Sequence, residues 1–114
     1  MQSFGYAIQG IMIAWREEFN FRFHCVVAAC TVILAWFLHL SPLEWAIMFL
    51  LIGFVLAAEA INTALEELCD KFQPTHDPHI AKIKDLGAAA VLIASIAAII
   101  VGCFIFIPHI LRLT

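Results

Sequence analysis

Glu59, Asn62, Glu66 and Asp70 recur at offsets of 0, 3, 7 and 11 in a stretch that follows directly on the apolar run from Trp45 to Ala58. At about 100° per residue on a helix, their side chains fall within roughly 80° of one another and make one stripe of carboxylate and amide. Ionisable groups beside so much hydrocarbon are costly, about 2.5 to 3.5 kcal/mol for Asp at the centre of a membrane helix, so a stripe of them marks a functional site. The stripe has companions in Glu18, ahead of the first apolar run, and in Lys84 and Asp85, ahead of the last. These are the groups that phosphoryl transfer uses. Mg²⁺ takes one or two carboxylates beside the substrate phosphates, a cation faces the phosphates, and a base meets the attacking hydroxyl. Neither GxxxxGK[ST] nor GxGxxG occurs, so such chemistry would run without a P-loop or a protein-kinase glycine loop.

The elements that carry these groups belong to a membrane. Hydrophobic residues make up 64% of the 114, charged residues 13%, and the mean hydropathy is +0.99. Those values lie outside the soluble globular range, and the length allows one small domain, 1–114. A net charge of −3 with no basic run argues against nucleic acid as a partner. Cys25, Cys30, Cys69 and Cys103 lack CxxC spacing and read as small packing residues. The opening residues have no basic stretch followed by an apolar one, so no cleaved signal peptide is expected.

The chain reads as an all-α membrane protein with one interfacial helix and three spans. Residues of about 4–20 mix Ile8, Ile11, Met12, Trp15 and Phe19 with Gln9, Arg16, Glu17 and Glu18, which suits a helix lying in the headgroup layer. The first span is expected over about 21–40. Ser41-Pro42-Leu43-Glu44 then predicts a capping box with Pro at the first helical position, and a tight antiparallel hairpin. The second helix, about 43–71, is too long for the roughly 30 Å of hydrocarbon, so its last turns emerge with Glu59 deepest and Asp70 nearest water. After a loop at 73–76, Asp77-Pro78 predicts the start of a third span over 78–108. Arg16, Arg22, Lys71, Lys82 and Lys84 precede span one or lie between spans two and three, whereas Arg112 lies beyond span three. The positive-inside rule therefore puts the stripe at the cytoplasmic face, where ATP and Mg²⁺ are available.

Glu59-Ala-Ile-Asn62-Thr-Ala-Leu-Glu66-Glu-Leu-Cys-Asp70, followed by Ala81-Lys-Ile-Lys84-Asp85-Leu-Gly-Ala-Ala-Ala-Val91, resembles the signature of the bacterial integral-membrane diacylglycerol kinase family. The similarity covers nearly the whole chain. Ala14-Trp15-Arg16-Glu17-Glu18 matches the family's other acidic position, and Asn20-Phe21-Arg22-Phe23-His24 is most similar to its undecaprenol kinase branch. The resemblance implies a homotrimer with active sites composed from neighbouring subunits in the bacterial inner membrane. It also implies transfer of a phosphate from Mg-ATP to a membrane lipid alcohol, undecaprenol first and diacylglycerol second. Glu59 would be the base, Glu18 and Glu66 would hold Mg²⁺ beside the nucleotide, and Lys84, Asp85 and Tyr6 would contact the nucleotide. Asn62 and Asp70 would support the site. Basic contacts that longer relatives place upstream of the tyrosine are expected to be missing.

Other residues have plainer readings. Glu67 points off the stripe, Lys82 is an interface anchor, and Trp15, Trp36 and Trp45 fit aromatic belts. His39, His76, His79 and His109 read as loop or interface residues, the pair His76 and His79 being short of a third metal ligand. His24 could match the branch pattern or simply fill the interface. The small residues Gly87, Ala88 to Ala90 and Gly102 suit close helix packing. A cation transporter would also carry carboxylates on a span, but at midplane and often on broken helices; here the stripe runs to the surface.

Overall fold

The computed structural model describes residues 2–72 and 77–114. Expectations placed on 73–76, the second loop and the His76 member of the histidine pair, lie outside the described residues. The rest forms four helices: α1 Gln2–Glu17, α2 Phe19–Leu38, α3 Pro42–Phe72 and α4 Pro78–Arg112. Three of them, α2, α3 and α4, are long and apolar enough to cross a bilayer.

The chain bends at Glu18, somewhat before the 20/21 boundary expected from sequence. Glu18 is extended, φ −113 and ψ 110, yet its N–H still donates to Ala14 O at 3.0 Å and its carbonyl accepts from Arg22 N at 3.2 Å. The bend is stable because the Arg22 guanidinium donates to the carbonyls of Trp15 at 2.7 Å and Arg16 at 2.9 Å. A helix end exposes carbonyls that need donors, and an arginine one turn downstream supplies them.

The α2–α3 turn forms as its residues dictate. His39 adopts the left-handed conformation at φ 56, His39 N donates to Trp36 O, and Leu40 N donates to Ala35 O. This is a Schellman closure, completed by burial of Leu40. The capping box follows: Ser41 N donates to Glu44 Oε1 at 2.9 Å and Glu44 N to Ser41 Oγ at 3.2 Å. Asp77 caps α4 through His79 N at 2.8 Å and Ile80 N at 3.4 Å, with Pro78 as the first helical residue.

The last helix runs past Pro108 to Arg112, four residues beyond the expected end at 108. Proline removes one helical hydrogen bond, which membrane helices tolerate when neighbours hold the flanking turn. His109 provides that hold, its Nε2 lying 3.0 Å from Glu44 Oε1 and 3.1 Å from Glu44 Oε2. Beside this pair sits the buried core of Ala35, Leu38, Leu40, Met48 and Ile105, at the end of the bundle remote from the acidic stripe. Elsewhere the apolar faces are open: Phe104 is 79% and Ile93 68% exposed, which only lipid or another subunit can cover.

Candidate active site

Within α3 the stripe forms, but its members have different environments. Glu59 and Asn62 are the buried polar side chains among the described residues, 3% and 8% exposed. Glu66 is half-buried and Asp70 exposed, so the stripe descends from solvent into the bundle. Asn62 Nδ2 donates to Glu66 Oε1 at 3.3 Å, one helical turn away. Asn62 Oδ1 is buried without a partner among the described residues. It faces Gly87 of α4, where a β-carbon would collide with it. A small residue there is what lets α4 close on α3.

The neighbouring helices add three groups. From α2, His24 Nε2 lies 3.5 Å from Glu59 Oε2. From α4, Lys84 Nζ donates to Asp70 Oδ1 at 2.5 Å. Glu18, in the bend between α1 and α2, has its carboxyl held above the ordinary 4.5, first by loss of solvent, then by the negative charges of Glu66, Glu67 and Glu17 against the opposing Arg22. Glu18 and Glu66 are therefore electrostatic neighbours although they are distant in sequence.

No three His, Cys, Asp or Glu side chains converge as a metal cage among the described residues. Mg²⁺ does not need one, since it keeps waters and takes one or two carboxylates with the nucleotide phosphates. Two carboxylates that repel one another across the bend, Glu18 and Glu66, fit that requirement.

Two residues expected at the site are solvent-exposed within one chain. Tyr6 is 68% exposed on α1. Asp85 is exposed and lines a shallow hollow with Pro78, Ala81, Lys82 and Leu86. Consecutive helical residues diverge by about 100°, so Lys84 and Asp85 cannot both face α3. Glu67, set aside on spacing, contributes its charge to Glu18. The contact of His24 with Glu59 was not anticipated from sequence, although the two lie 16 and 19 residues from Leu40 in the hairpin turn and so at similar depths.

An apolar groove of about 430 Å³ runs between α2, α3 and α4 with His24 at one end and Ile105 and Phe106 at the other. Its walls include Val27, Leu51 and Ile99. The cluster thus combines a buried carboxylate, two carboxylates that feel one another's charge, a lysine and an adjoining apolar groove.

Comparison with known proteins bears on this arrangement. A family model described as prokaryotic diacylglycerol kinase matches residues 5–106. Undecaprenol kinase of Bacillus subtilis is 38% identical over 107 residues, covering 94% of this chain and 87% of that protein. Diacylglycerol kinase of Synechocystis sp. is 38% identical over 112 residues, 97% of this chain and 64% of that protein. Diacylglycerol kinase of Escherichia coli K12 is 30% identical over 105 residues, 92% of this chain and 86% of that protein.

Proposed function

Because this chain belongs to the prokaryotic diacylglycerol kinase family, and is therefore a membrane lipid kinase, we propose that it phosphorylates undecaprenol from Mg-ATP, with diacylglycerol as the alternative acceptor. The observation that carries the reading is Glu59, a carboxylate only 3% exposed, touched by the residue that heads an apolar groove. A lipid whose chain follows the groove brings its hydroxyl to that carboxylate. The choice of undecaprenol draws on the resemblance of the segment Asn20 to His24 to that branch.

Each residue then has a task. Glu59 accepts the hydroxyl proton as the oxygen attacks the γ-phosphate. Glu18 and Glu66 are the carboxylates that would hold Mg²⁺, whose contribution when bound is to neutralise and orient the phosphates. Asn62 fixes the Glu66 carboxylate through its Nδ2 donor. Asp70 holds Lys84, which leaves that ammonium poised beside the nucleotide as a cation for the phosphates.

Tyr6 and Asp85 complete a neighbour's site rather than their own, in a homotrimer of three-span subunits with α1 lying in the cytoplasmic interface of the bacterial inner membrane. Their exposure and the open apolar faces of α2 to α4 support that assembly, and the distribution of basic residues supports the orientation.

The test is an assay of purified protein in detergent with Mg-ATP and each lipid alcohol in turn. Undecaprenol should give the higher kcat/KM; a reversed ratio moves the assignment to diacylglycerol. ATP turnover that needs no added lipid would contradict both.

A further inference from the structure

The reaction of an alcohol with ATP sets one proton free: ROH + ATP⁴⁻ gives ROPO₃²⁻ + ADP³⁻ + H⁺. On the reading above, that proton lands first on Glu59, whose side chain is 4% exposed and has no direct route to water. A protonated Glu59 is inert as a base until the proton leaves. Glu66 and Glu18 are the nearest other carboxylates, and both are committed to the cation. What touches Glu59 is His24, with Nε2 at 3.5 Å and a side chain 22% exposed.

We infer that His24 is the proton exit of the active site and the positioning residue for Glu59. With its Nε2 lone pair free, the imidazole takes the proton from the Glu59 carboxyl, restoring the carboxylate. The resulting imidazolium gives its other N–H proton to water or a buffer base at its exposed edge, and tautomer exchange through water, once the product leaves, frees the Nε2 lone pair again. No bond other than these O–H and N–H bonds is made or broken. The inference rests on the assignment of Glu59 as base.

The surroundings suit the role. The Phe23 ring meets the imidazole edge-on at 5.9 Å between centroids, which restricts its rotation. Arg22, the cation nearest along α2, is engaged with the carbonyls of Trp15 and Arg16 and so does not compete for Glu59. From α3 the charged groups facing this point are Glu59 and Glu66, and from the bend Glu18. From α4 the groove receives Ser95 and Cys103 rather than a charged side chain among the described residues. An imidazole is the one side chain in this set that both accepts and releases a proton near neutral pH.

The experiment compares His24→Gln, His24→Ala and Glu59→Gln with the wild type, measuring kcat and both KM values. His24→Gln keeps a donor and similar bulk but cannot relay. It should lower kcat at least about 10-fold with KM values within about twofold. His24→Ala should regain part of its kcat when free imidazole is added. Gln restoring all that Ala loses, or no rescue of His24→Ala by imidazole, would overturn the inference, as would a fall in ATP-analogue affinity as steep as the fall in kcat. An active Glu59→Gln would instead overturn the base assignment. An inactive Glu59→Gln beside an unaffected His24→Gln would remove the relay alone.

Discussion

Gly87 of α4 abuts Asn62 of α3 so closely that any β-carbon at position 87 would collide with the Asn62 carbonyl oxygen. The same amide donates through Nδ2 to Glu66. Packing of two membrane helices and the aim of the Glu66 carboxylate therefore depend on one missing methyl group. Gly87→Ala should force the amide or the helix aside, at an overpacking cost of about 1 to 3 kcal/mol, and lower activity with it. Thermal stability in detergent measured beside turnover checks this; a variant with wild-type values of both would show that the contact is slack.

Glu66→Gln keeps shape and removes a charge from the cation site. Hard cations select anionic oxygen donors, so activity should fall by about 100-fold or more and the Mg²⁺ concentration for half-maximal rate should rise. Glu67→Gln should lose far less, because Glu67 is exposed on the helix surface and acts on the site only through its charge near Glu18. A titration with Mg²⁺ at saturating ATP separates the two, and equal losses would reduce the stripe to a charged surface.

Glu18 gives a pH dependence with a definite sign. Its carboxyl titrates above 4.5 because burial and the carboxylates of Glu66, Glu67 and Glu17 disfavour its charge. Mg²⁺ binds the charged form, so the half-saturating Mg²⁺ concentration should fall as pH rises through that raised pKa and then level off. The linked effect on folding runs the other way. A carboxyl raised in the folded state costs metal-free protein stability as pH rises past the unfolded value and through the folded one, and Mg²⁺ should restore it. Glu18→Gln should abolish both trends in Mg²⁺ titrations and thermal melts.

The features legible from sequence were those set by local chemistry. Ser41, Pro42, Glu44, Asp77 and Pro78 announce helix starts because caps and first-turn prolines act within a few residues. The stripe from Glu59 to Asp70 was legible because one helix fixes its period. Contacts between helices were not, since the partner of Glu59 is chosen by the register of a hairpin and the partner of Asn62 by the tilt of α4. The course of α4 past Pro108 depended on a Glu44 that lies far away in sequence. The bend at Glu18 depended on Arg22 reaching backwards to α1.

Tyr6 and Asp85 point to assembly. If a neighbouring subunit contributes them, Glu18→Gln and Asp85→Asn proteins, each inactive alone, should regain partial activity when refolded together into mixed oligomers. Activity measured against the mixing ratio should pass through a maximum. Persistent inactivity in demonstrably mixed oligomers would place both residues in one site of one subunit.

Whether Glu59 acts on the acceptor hydroxyl or on the nucleotide is decided by affinity for a non-hydrolysable ATP analogue measured beside turnover at saturating lipid, in wild type and Glu59→Gln. Turnover should fall by about 100-fold or more, as loss of a general base gives, with analogue affinity unchanged to within about twofold. Affinity falling as steeply as turnover would make Glu59 a metal or nucleotide ligand and not the base.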